Sequence, residues 1–423
     1  MIRTRKAPLL WCVIVVVLAV VSTTFLSVPG GASVPRAATA SNGTITVAGL
    51  GYVTNFGDAA VGAQARFERA NKKNEVKGYK FDFKEFANDG NDPATALSEA
   101  RRLVTQEQVL AIVPDLSIVT PGAYLTQQQI PWFGTGYDDT ICTKGAPGFG
   151  FGTYGCGLPS NAKFTTAVIY WQLLKKELAS KGTSTPTAAI LGNDSDTGKN
   201  SVQAFASGAQ AAGFKVVYAK GVFPAPPAVV GDLSPYSQAL LTSNGGKQPD
   251  VIYSGAPPAT TLQLFNLIKS SGYTGTFLSP FYSKLLLKAL QGSYVFLQFA
   301  GFESTSKGVE QMQADVQAFK PGTGYTISVA GGYFAADMFI HAVKNSLKSS
   351  KTLTSTAVQK AAAKMTYQIS DTVGPTIYPD SAQYATKACA TLEYDADGTA
   401  FSIAEPFTCT SKKVPLLPKF AQN

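Results

Sequence analysis

The chain contains a single histidine, which limits the catalytic chemistry open to it. Ser-His-Asp and Cys-His sites both need an imidazole as the general base. His341 lies between Phe339 and Val343 in a long helical pattern, and nothing near it resembles the turn that presents a nucleophile. A lone histidine in such a helix is more often a packed or surface residue than a base. A secreted enzyme is therefore the least favoured function.

Two glycine-containing segments resemble phosphate or nucleotide loops but fail on detail. Residues 192–199 have five residues between the glycines where a phosphate loop has four, and Asn200 follows the lysine instead of Ser or Thr. The Gly-Leu-Gly of residues 49–51 lacks the third glycine of a dinucleotide fingerprint. No cofactor is predicted. Asp194 and Asp196 are candidate metal ligands, but we expect them to cap a helix that begins near Gly198.

The cysteines indicate an oxidising compartment. Cys12 lies in the N-terminal segment, and the other four form two local pairs, Cys142 with Cys156 and Cys389 with Cys409. An even number in an oxidising compartment indicates disulfides, for which three connectivities exist, and short loops favour the local pairing. The alternative is a zinc site. No close Cys-x-x-Cys pair occurs and only one histidine is present, so no metal is predicted.

Residues 1–40 have the order of a secretory signal peptide. A positively charged start at residues 1–6 precedes a nearly uninterrupted apolar run at residues 7–28, and small residues follow. We expect cleavage after Ala32 or Ala40. The apolar run approaches the ~20 residues that span a bilayer, so an uncleaved membrane anchor is the alternative. In either case the protein is expected outside the cytoplasm, as a secreted, periplasmic or cell-envelope protein.

Charge and length narrow the class further. The chain of 423 residues has a net charge of +9, and residues 1–40 contribute four basic residues and no acidic residue, which leaves +5. This excess is spread along the chain without a basic stripe between aromatics, so nucleic acid is not an expected partner. The mature length exceeds that of one compact core and suits two lobes.

Strand and helix patterns alternate along the body of the chain, which predicts an α/β fold with parallel sheets. The predicted strands are residues 44–48, 79–86, 109–113, 130–134, 187–191, 214–222, 251–254 and 276–280. A helical pattern follows most of them, and Asp92 before Pro93 predicts one helix start. Two such blocks on either side of about residue 160 predict two similar lobes.

Ligands of open parallel sheets bind at the carboxyl ends of the strands. The loops that follow the strands are therefore the candidate binding segments. These loops are residues 52–58, 114–120, 135–140, 193–200, 256–260 and 281–283.

The order of several short motifs resembles that of a known family. These are Gly62 and Asn71, the Ala-Asn-Asp of residues 87–89 before Asp92, and the apolar run 109–113 with Ser117, Thr120 and Ile130-Pro131 after it. Over residues 44–423 the chain resembles the periplasmic solute-binding proteins of the branched-chain-amino-acid family, the ligand-capture subunits of ABC importers.

The resemblance implies two Rossmann-like lobes, joined by three crossings, with a ligand cleft between them. Lobe I is expected to comprise residues 41–158 plus about 303–370, and lobe II residues 159–302 plus about 371–423. The family binds a small molecule, closes about the hinge and docks on permease subunits in the membrane. A monomer is expected.

Site residues carry over from the family unevenly. Ser117 stands where members offer a hydroxyl and N–H groups at a helix start to a ligand carboxylate, and Gly136 and Asp138 lie on the next family loop. Thr197 and Ala256 stand where the family usually has aromatics. Together with the loops, this assigns ligand binding to Asn55, Phe56, Ser117, Thr120, Gly136, Tyr137, Asp138, Thr197, Ala256, Phe281 and Tyr282.

One departure bears on the ligand. After the strand at 276–280, amino-acid binders place an acid that pairs with the ligand ammonium, whereas this chain has Phe281 and Tyr282. Asp138, Asp115 or Glu303 could substitute, but none lies where the family has its acid. We therefore hypothesise a larger or less polar ligand than a branched-chain amino acid, such as a carboxylate stacked on aromatic rings. For each candidate aromatic side chain, packing in the protein core is an equally good alternative to ligand contact.

The same two-lobed module has a second possible use. With an uncleaved N-terminal anchor it would be a ligand sensor that reports to a partner at the membrane. Importer binding protein is the favoured function and sensor the alternative.

Overall fold

The computed structural model describes residues 37–40, 43–142, 148–156, 163–224, 228–382 and 388–418. Most of the predicted signal peptide, including Ala32, lies outside these residues, as does the predicted lobe boundary near 158. Within the described part of the chain, no helix is both long enough and apolar enough to cross a membrane.

The secondary structure alternates as predicted, and the predicted elements end within three residues of the observed ends. In chain order the strands are β1 (Thr44–Gly51), β2 (Lys80–Asn88), β3 (Ala111–Leu116), β4 (Trp132–Gly134), β5 (Gly150–Gly152), β6 (Phe164–Thr165), β7 (Thr187–Asn193), β8 (Lys215–Phe223), β9 (Val251–Ser254), β10 (Thr276–Ser279), β11 (Ser293–Leu297), β12 (Thr366–Ile369), β13 (Val373–Ile377), β14 (Ala388–Asp395), β15 (Phe401–Thr410) and β16 (Val414–Pro415).

The helices occupy most of the intervening segments. In chain order they are α1 (Val53–Phe56), α2 (Ala59–Lys72), α3 (Pro93–Thr105), α4 (Gly122–Gln127), α5 (Val168–Ser180), α6 (Asp196–Ala211), α7 (Ser234–Leu241), α8 (Pro258–Ser270), α9 (Lys307–Phe319), α10 (Ile327–Ser349) and α11 (Ser355–Ala362).

Helix starts test two sequence predictions. Asp92 caps α3 as predicted, because its carboxylate accepts a 2.7 Å hydrogen bond from the backbone N–H of Thr95. The prediction for α6 was wrong in detail. Its cap is Ser195, whose hydroxyl accepts from the N–H of Gly198, and Asp196 is the first helical residue. Serine and aspartate are equally good N-cap residues, so the residue type alone could not identify which of them caps the helix.

Two parallel sheets with the same strand order form the two lobes. The first sheet has the order β2-β1-β3-β4-β5, and all its neighbours are parallel. The second sheet has the order β8-β7-β9-β10-β11, which repeats the first, and is extended by the antiparallel strands β14 and β15. In each sheet the order reverses beside the first strand, and such a switch point is where doubly wound sheets bind ligands.

Lobe I is built around the close packing of α2 on α10. A Cβ added to Gly62 would lie 1.9 Å from the carbonyl oxygen of Val329, and one added to Gly332 would lie 2.0 Å from that of Ala59. Only glycine at both positions allows the two backbones to approach so closely. Sixteen residues of α10 are buried, which makes it the central helix of this lobe.

A buried ionic cluster fixes the same two helices. The guanidinium of Arg66 on α2 donates to Asp337 on α10 at 2.6 Å and to both oxygens of Glu75 at 2.9 and 3.1 Å. Lys344 on α10 donates to Glu75 at 2.7 Å. Burial alone would raise the pKa of Glu75, but the hydrogen bonds from Arg66 and Lys344 outweigh it and lower that pKa to about 2.

Three crossings between the lobes, near residues 158, 302 and 370, remain a prediction. The short strands β12 and β13 pack on lobe I. Thr376 on β13 donates a hydrogen bond to the carbonyl of Thr153 in that lobe, and Tyr378 donates to the carbonyl of Gly152 at 3.2 Å.

Both cysteine pairs are disulfides with the predicted local connectivity. Cys142 and Cys156 are joined in lobe I, and Cys389 and Cys409 face each other across β14 and β15 of lobe II. The described residues contain no group of three or more His, Cys, Asp or Glu side chains that could hold a metal.

Candidate functional site

A cavity of about 250 Å³ lies between the two lobes at the carboxyl ends of both sheets. All six loops named from the sequence contribute to its wall. Its main lining residues from these loops and the adjacent strand ends are Tyr52, Asn55, Phe56, Leu116, Ile118, Tyr137, Asn193, Ser195, Thr197, Gly198, Pro257, Pro258 and Phe281. The shared topology of the two sheets brings these loops to one place.

The structure places five of the predicted binding residues on this wall. Asn55 and Phe56 come from lobe I after β1, and Tyr137 comes from the same lobe after β4. Thr197 and Phe281 come from lobe II. Ligand contact by these five remains a prediction, now for residues that share a cavity.

Three other predicted residues lie behind the wall instead of on it. Ser117, Thr120 and Asp138 are at most 5% exposed. The N–H of Thr120 donates to Asp138 at 2.8 Å, and its hydroxyl donates to Asp115 at 2.9 Å. Ser117 accepts from the N–H of Val119. These groups bind one another, which orders the loops of lobe I behind the cavity.

Ser117 also does not stand at a helix start, contrary to the prediction. The helix α4 begins at Gly122, after Pro121, and has only six residues. Ser117 therefore precedes the first helical residue by five positions and does not belong to the N-terminus of α4.

Three further predicted residues are explained by backbone conformation or core packing instead of by a place on the cavity wall. Gly136 has a φ of +101°, and an added Cβ would lie 2.1 Å from the carbonyl oxygen of Gly155, so the loop conformation requires glycine. Ala256 is fully buried. Tyr282 is 1% exposed, packs against Phe302, and donates a 2.7 Å hydrogen bond to Glu303. For Tyr282 the alternative of core packing is the one observed.

The carboxylates considered as partners for a ligand ammonium are not available for that role. Burial raises the pKa of Asp115 well above its usual range, and the nearby Asp138 raises it further. Burial also raises the pKa of Asp138. The carboxylate of Glu303 lies 3.4 Å from the ammonium of Lys284. None of the three lines the cavity.

The lobe II side of the cavity is an array of aromatic rings. Phe205 lies between Tyr170 and Tyr253, with ring centroids 5.4 and 4.5 Å away and interplanar angles of 6° and 10°. Phe296 stacks on Tyr170 with ring centroids 4.2 Å apart and lies 5.5 Å from Phe205. Stacked rings of this kind present a flat apolar surface with polarisable faces.

Tyrosine hydroxyls supply polar groups within this apolar wall. Gln298 links two of them, because its amide oxygen accepts from the hydroxyl of Tyr137 and its amide nitrogen donates to that of Tyr170 at 3.0 Å. Tyr154 and Tyr253 also line the cavity. In the described part of the chain, no side chain or backbone group hydrogen-bonds to either hydroxyl.

Charged side chains are missing from the wall as far as it is described. The lining residues within the described ranges include no Asp, Glu, Lys, Arg or His. His341 lies on α10 outside the cavity, with its side chain 44% exposed and 3.8 Å from Asp337. The site can therefore bind by shape, stacking and neutral hydrogen bonds.

Several wall residues were not predicted from the sequence. Tyr170 and Phe205 lie within helices, and Tyr253 and Phe296 lie within strands. Because their neighbours in the sequence are also apolar, these four residues resembled core positions. Gln298 could have been found, since it is the first polar residue after the apolar run at 294–297. The rule that ligands bind after strands applies to it as well.

A two-lobed α/β protein with an interlobe cavity is a ligand-binding module, and sequence and structure comparisons specify the kind. A family profile described as "Periplasmic binding protein" matches residues 45–399. The chain belongs to this family. No curated protein matches the chain.

Solved structures agree on the fold. An ABC transporter substrate-binding protein from Aeropyrum pernix is 14% identical, with a TM-score of 0.68 over 87% of this chain and 97% of that one. A fatty acid ABC transporter substrate-binding protein from Thermomonospora curvata is 16% identical, with a TM-score of 0.68 over 89% and 95%.

A third similar structure carries a named ligand. It is a branched-chain amino acid transporter substrate-binding protein from Streptococcus pneumoniae in complex with isoleucine, 16% identical, with a TM-score of 0.64 over 86% of this chain and all of that one. At these identities the likeness shows the fold, and the ligand of each protein is its own.

Proposed function

We propose that the chain is the substrate-binding component of an ABC importer and captures a small molecule between its lobes outside the cytoplasm. The observation that carries this proposal is the cavity itself. Loops at the carboxyl ends of both parallel sheets form its wall, so one ligand can contact both lobes. The role is binding, without chemical conversion of the ligand.

Closure of the lobes around the ligand is part of the proposal. A ligand can drive closure only if it binds the closed form more tightly than the open form. Here Phe56 and Tyr137 from lobe I and Tyr170 and Phe281 from lobe II line the same cavity. A ligand that touches both sets meets that condition, and the closed form would then be recognised by permease subunits.

The composition of the wall supports a ligand other than a branched-chain amino acid. A buried ammonium without an anionic partner costs several kcal/mol. Among the described residues no carboxylate lines the cavity, and Asp115, Asp138 and Glu303 are engaged elsewhere.

We also propose that export removes the signal peptide after Ala32. The N–H of Ala40 donates to the carbonyl of Leu353 at 3.1 Å, and the N–H of Ser355 donates to the carbonyl of Ala38 at 2.8 Å. Cleavage after Ala40 would remove these contacts with lobe I, whereas cleavage after Ala32 keeps them. Mass spectrometry of the exported protein reads the N-terminus: Ser33 supports this site, and the intact N-terminus would indicate the anchored sensor.

Ligand titration tests the binding proposal. Purified protein is titrated with leucine, isoleucine and valine by calorimetry, and then with an extract of small metabolites by native mass spectrometry. We expect no micromolar binding of the three amino acids and one retained small molecule, with a smaller radius of gyration by X-ray scattering in its presence. Micromolar binding of any of the three would refute the exclusion, and chemical turnover of a bound molecule would refute the non-enzymatic role.

A further inference from the structure

We propose, on the basis of the function proposed above, that the ligand is an uncharged, largely apolar molecule whose carbonyl or hydroxyl oxygen binds the hydroxyls of Tyr154 and Tyr253. The proposal combines three observations: unused hydroxyls, a stacked aromatic wall and a wall without charged side chains in the described ranges.

The hydroxyls of Tyr154 and Tyr253 are donors without a protein acceptor. Tyr253 is 3% exposed and Tyr154 is half-buried, and neither hydroxyl has a hydrogen-bond partner among the described residues. Neither hydroxyl is fully enclosed by protein, and both residues line the cavity. A ligand that covers these hydroxyls must therefore supply an acceptor, because tyrosine hydroxyls are nearly always bonded once buried. By contrast, Gln298 engages the hydroxyls of Tyr137 and Tyr170 in the same cavity. The two free donors come from opposite lobes, so an oxygen atom bound by both would also hold the lobes together.

These hydroxyls remain neutral donors. Burial raises the pKa of Tyr154 well above its usual range, and the nearby Tyr137 and Tyr170 raise it further. Burial raises the pKa of Tyr253 in the same way. A neutral donor is matched by a neutral acceptor such as a ketone or alcohol oxygen. A carboxylate in this cavity would lose its hydration without gaining a cation, which is unfavourable.

The remainder of the ligand faces rings. The stack of Tyr170, Phe205 and Tyr253 lies on the lobe II side, and Phe56 lines the lobe I side. Flat or ring-containing apolar groups bury most area against such surfaces and gain from offset stacking. A short branched aliphatic side chain would use little of this wall.

A matched series of probes separates head-group chemistry from ring stacking. The probes are 2-acetylnaphthalene, 1-(2-naphthyl)ethanol, 2-ethylnaphthalene, 2-naphthoate and 2-naphthylmethylammonium, titrated into the full mature protein by calorimetry at pH 7. We expect the ketone and the alcohol to bind most tightly and the hydrocarbon more weakly. The two ions should bind at least about tenfold more weakly than the ketone, the factor that corresponds to 1.4 kcal/mol.

Hydroxyl deletions assign the polar contact. Tyr154→Phe and Tyr253→Phe should each weaken binding of the ketone about 3- to 10-fold, the usual range for one neutral hydrogen bond. Neither should change binding of 2-ethylnaphthalene. The matched control is Tyr218→Phe in lobe II, a half-buried tyrosine outside the cavity wall, which should change neither. Circular dichroism of each variant checks folding.

Each other outcome overturns the inference. Tighter binding of the carboxylate or the ammonium would show a charged ligand class. Equal losses for ketone and hydrocarbon would show that ring packing, and not the hydroxyls, is affected. Failure of ketone and alcohol to bind at millimolar concentration refutes the ligand class. In that case, retention of another metabolite with lobe closure keeps the transport function, and only the absence of any retained ligand counts against both.

Discussion

The amide nitrogen of Gln298 donates a 3.0 Å hydrogen bond to the hydroxyl oxygen of Tyr170. Gln298 directly follows β11, and Tyr170 lies on the first turn of α5 in lobe II. The amide oxygen of the same glutamine accepts from Tyr137 of lobe I. One side chain therefore links hydroxyls of both lobes at the cavity wall.

Replacing Gln298 by leucine should destabilise the protein. The hydroxyls of Tyr137 and Tyr170 would lose their partner in an apolar wall, so we expect the free energy of unfolding to fall by about 1–3 kcal/mol. Urea denaturation measures it. In a double-mutant cycle with Tyr137→Phe, the two effects should be non-additive by about 0.5–1.5 kcal/mol. Strict additivity would mean that this hydrogen bond does not contribute.

Replacing Arg66 by methionine should be far more damaging than replacing an exposed arginine. Arg66 is 2% exposed, and its loss leaves Glu75 and Asp337 without their buried cation. We expect a loss of about 3–5 kcal/mol in unfolding free energy. The control is Arg102→Met, since Arg102 pairs with three carboxylates but is 30% exposed, and its loss should cost about 1 kcal/mol or less. Similar losses for both variants would contradict the prediction.

The carboxyl of Glu393 should make stability fall as pH rises. Burial and the adjacent Glu303 raise its pKa from 4.5 to about 9, with Lys284 opposing them. The folded state therefore binds a proton that the unfolded state releases above pH 4.5, so this contribution is complete below pH 4.5 and is lost as pH rises through about 9.

The variant Glu393→Gln isolates this effect. Between pH 5 and 9 the wild type should lose stability relative to the variant by up to about 1.4 kcal/mol per pH unit. Urea denaturation at several pH values gives both curves. Glu75 does not interfere, because its pKa of about 2 places its contribution at lower pH, where stability is lost as pH falls from 4.5. Parallel curves from pH 5 to 9 would refute the prediction.

Removing the Cys389–Cys409 disulfide should destabilise lobe II. The bridge closes a loop with a sequence separation of 20 residues, for which the chain-entropy model gives about 3 kcal/mol. Replacing both cysteines by serine should lower the melting temperature. Added reductant should also lower the melting temperature of the wild type, and by more than that of the variant, because the variant has only the Cys142–Cys156 bridge left to lose. The Cys142/Cys156 double serine variant is the comparison, with a similar loop and a similar expected loss.

The sequence by itself determined the architecture. Alternating strand and helix patterns predicted parallel sheets, and the identical strand order of the two sheets agrees with two similar lobes. All six loops that were selected by the rule that ligands bind after strands contribute to the wall of one cavity. Local signals such as the Asp92 cap and the short-range cysteine pairs were also correct. These features are determined by residues that are close together in the chain, so hydrophobic periodicity and residue spacing are enough to predict them.

Only the tertiary structure decided which side chains face the cavity. Ser117 and Asp138 lie in a predicted loop but bond within the loops behind the wall. Tyr253 lies inside a strand and Phe205 inside a helix, yet both line the cavity. A strand or helix pattern states that one face is apolar, but not whether that face meets a core or a cleft. That depends on how segments far apart in sequence pack together.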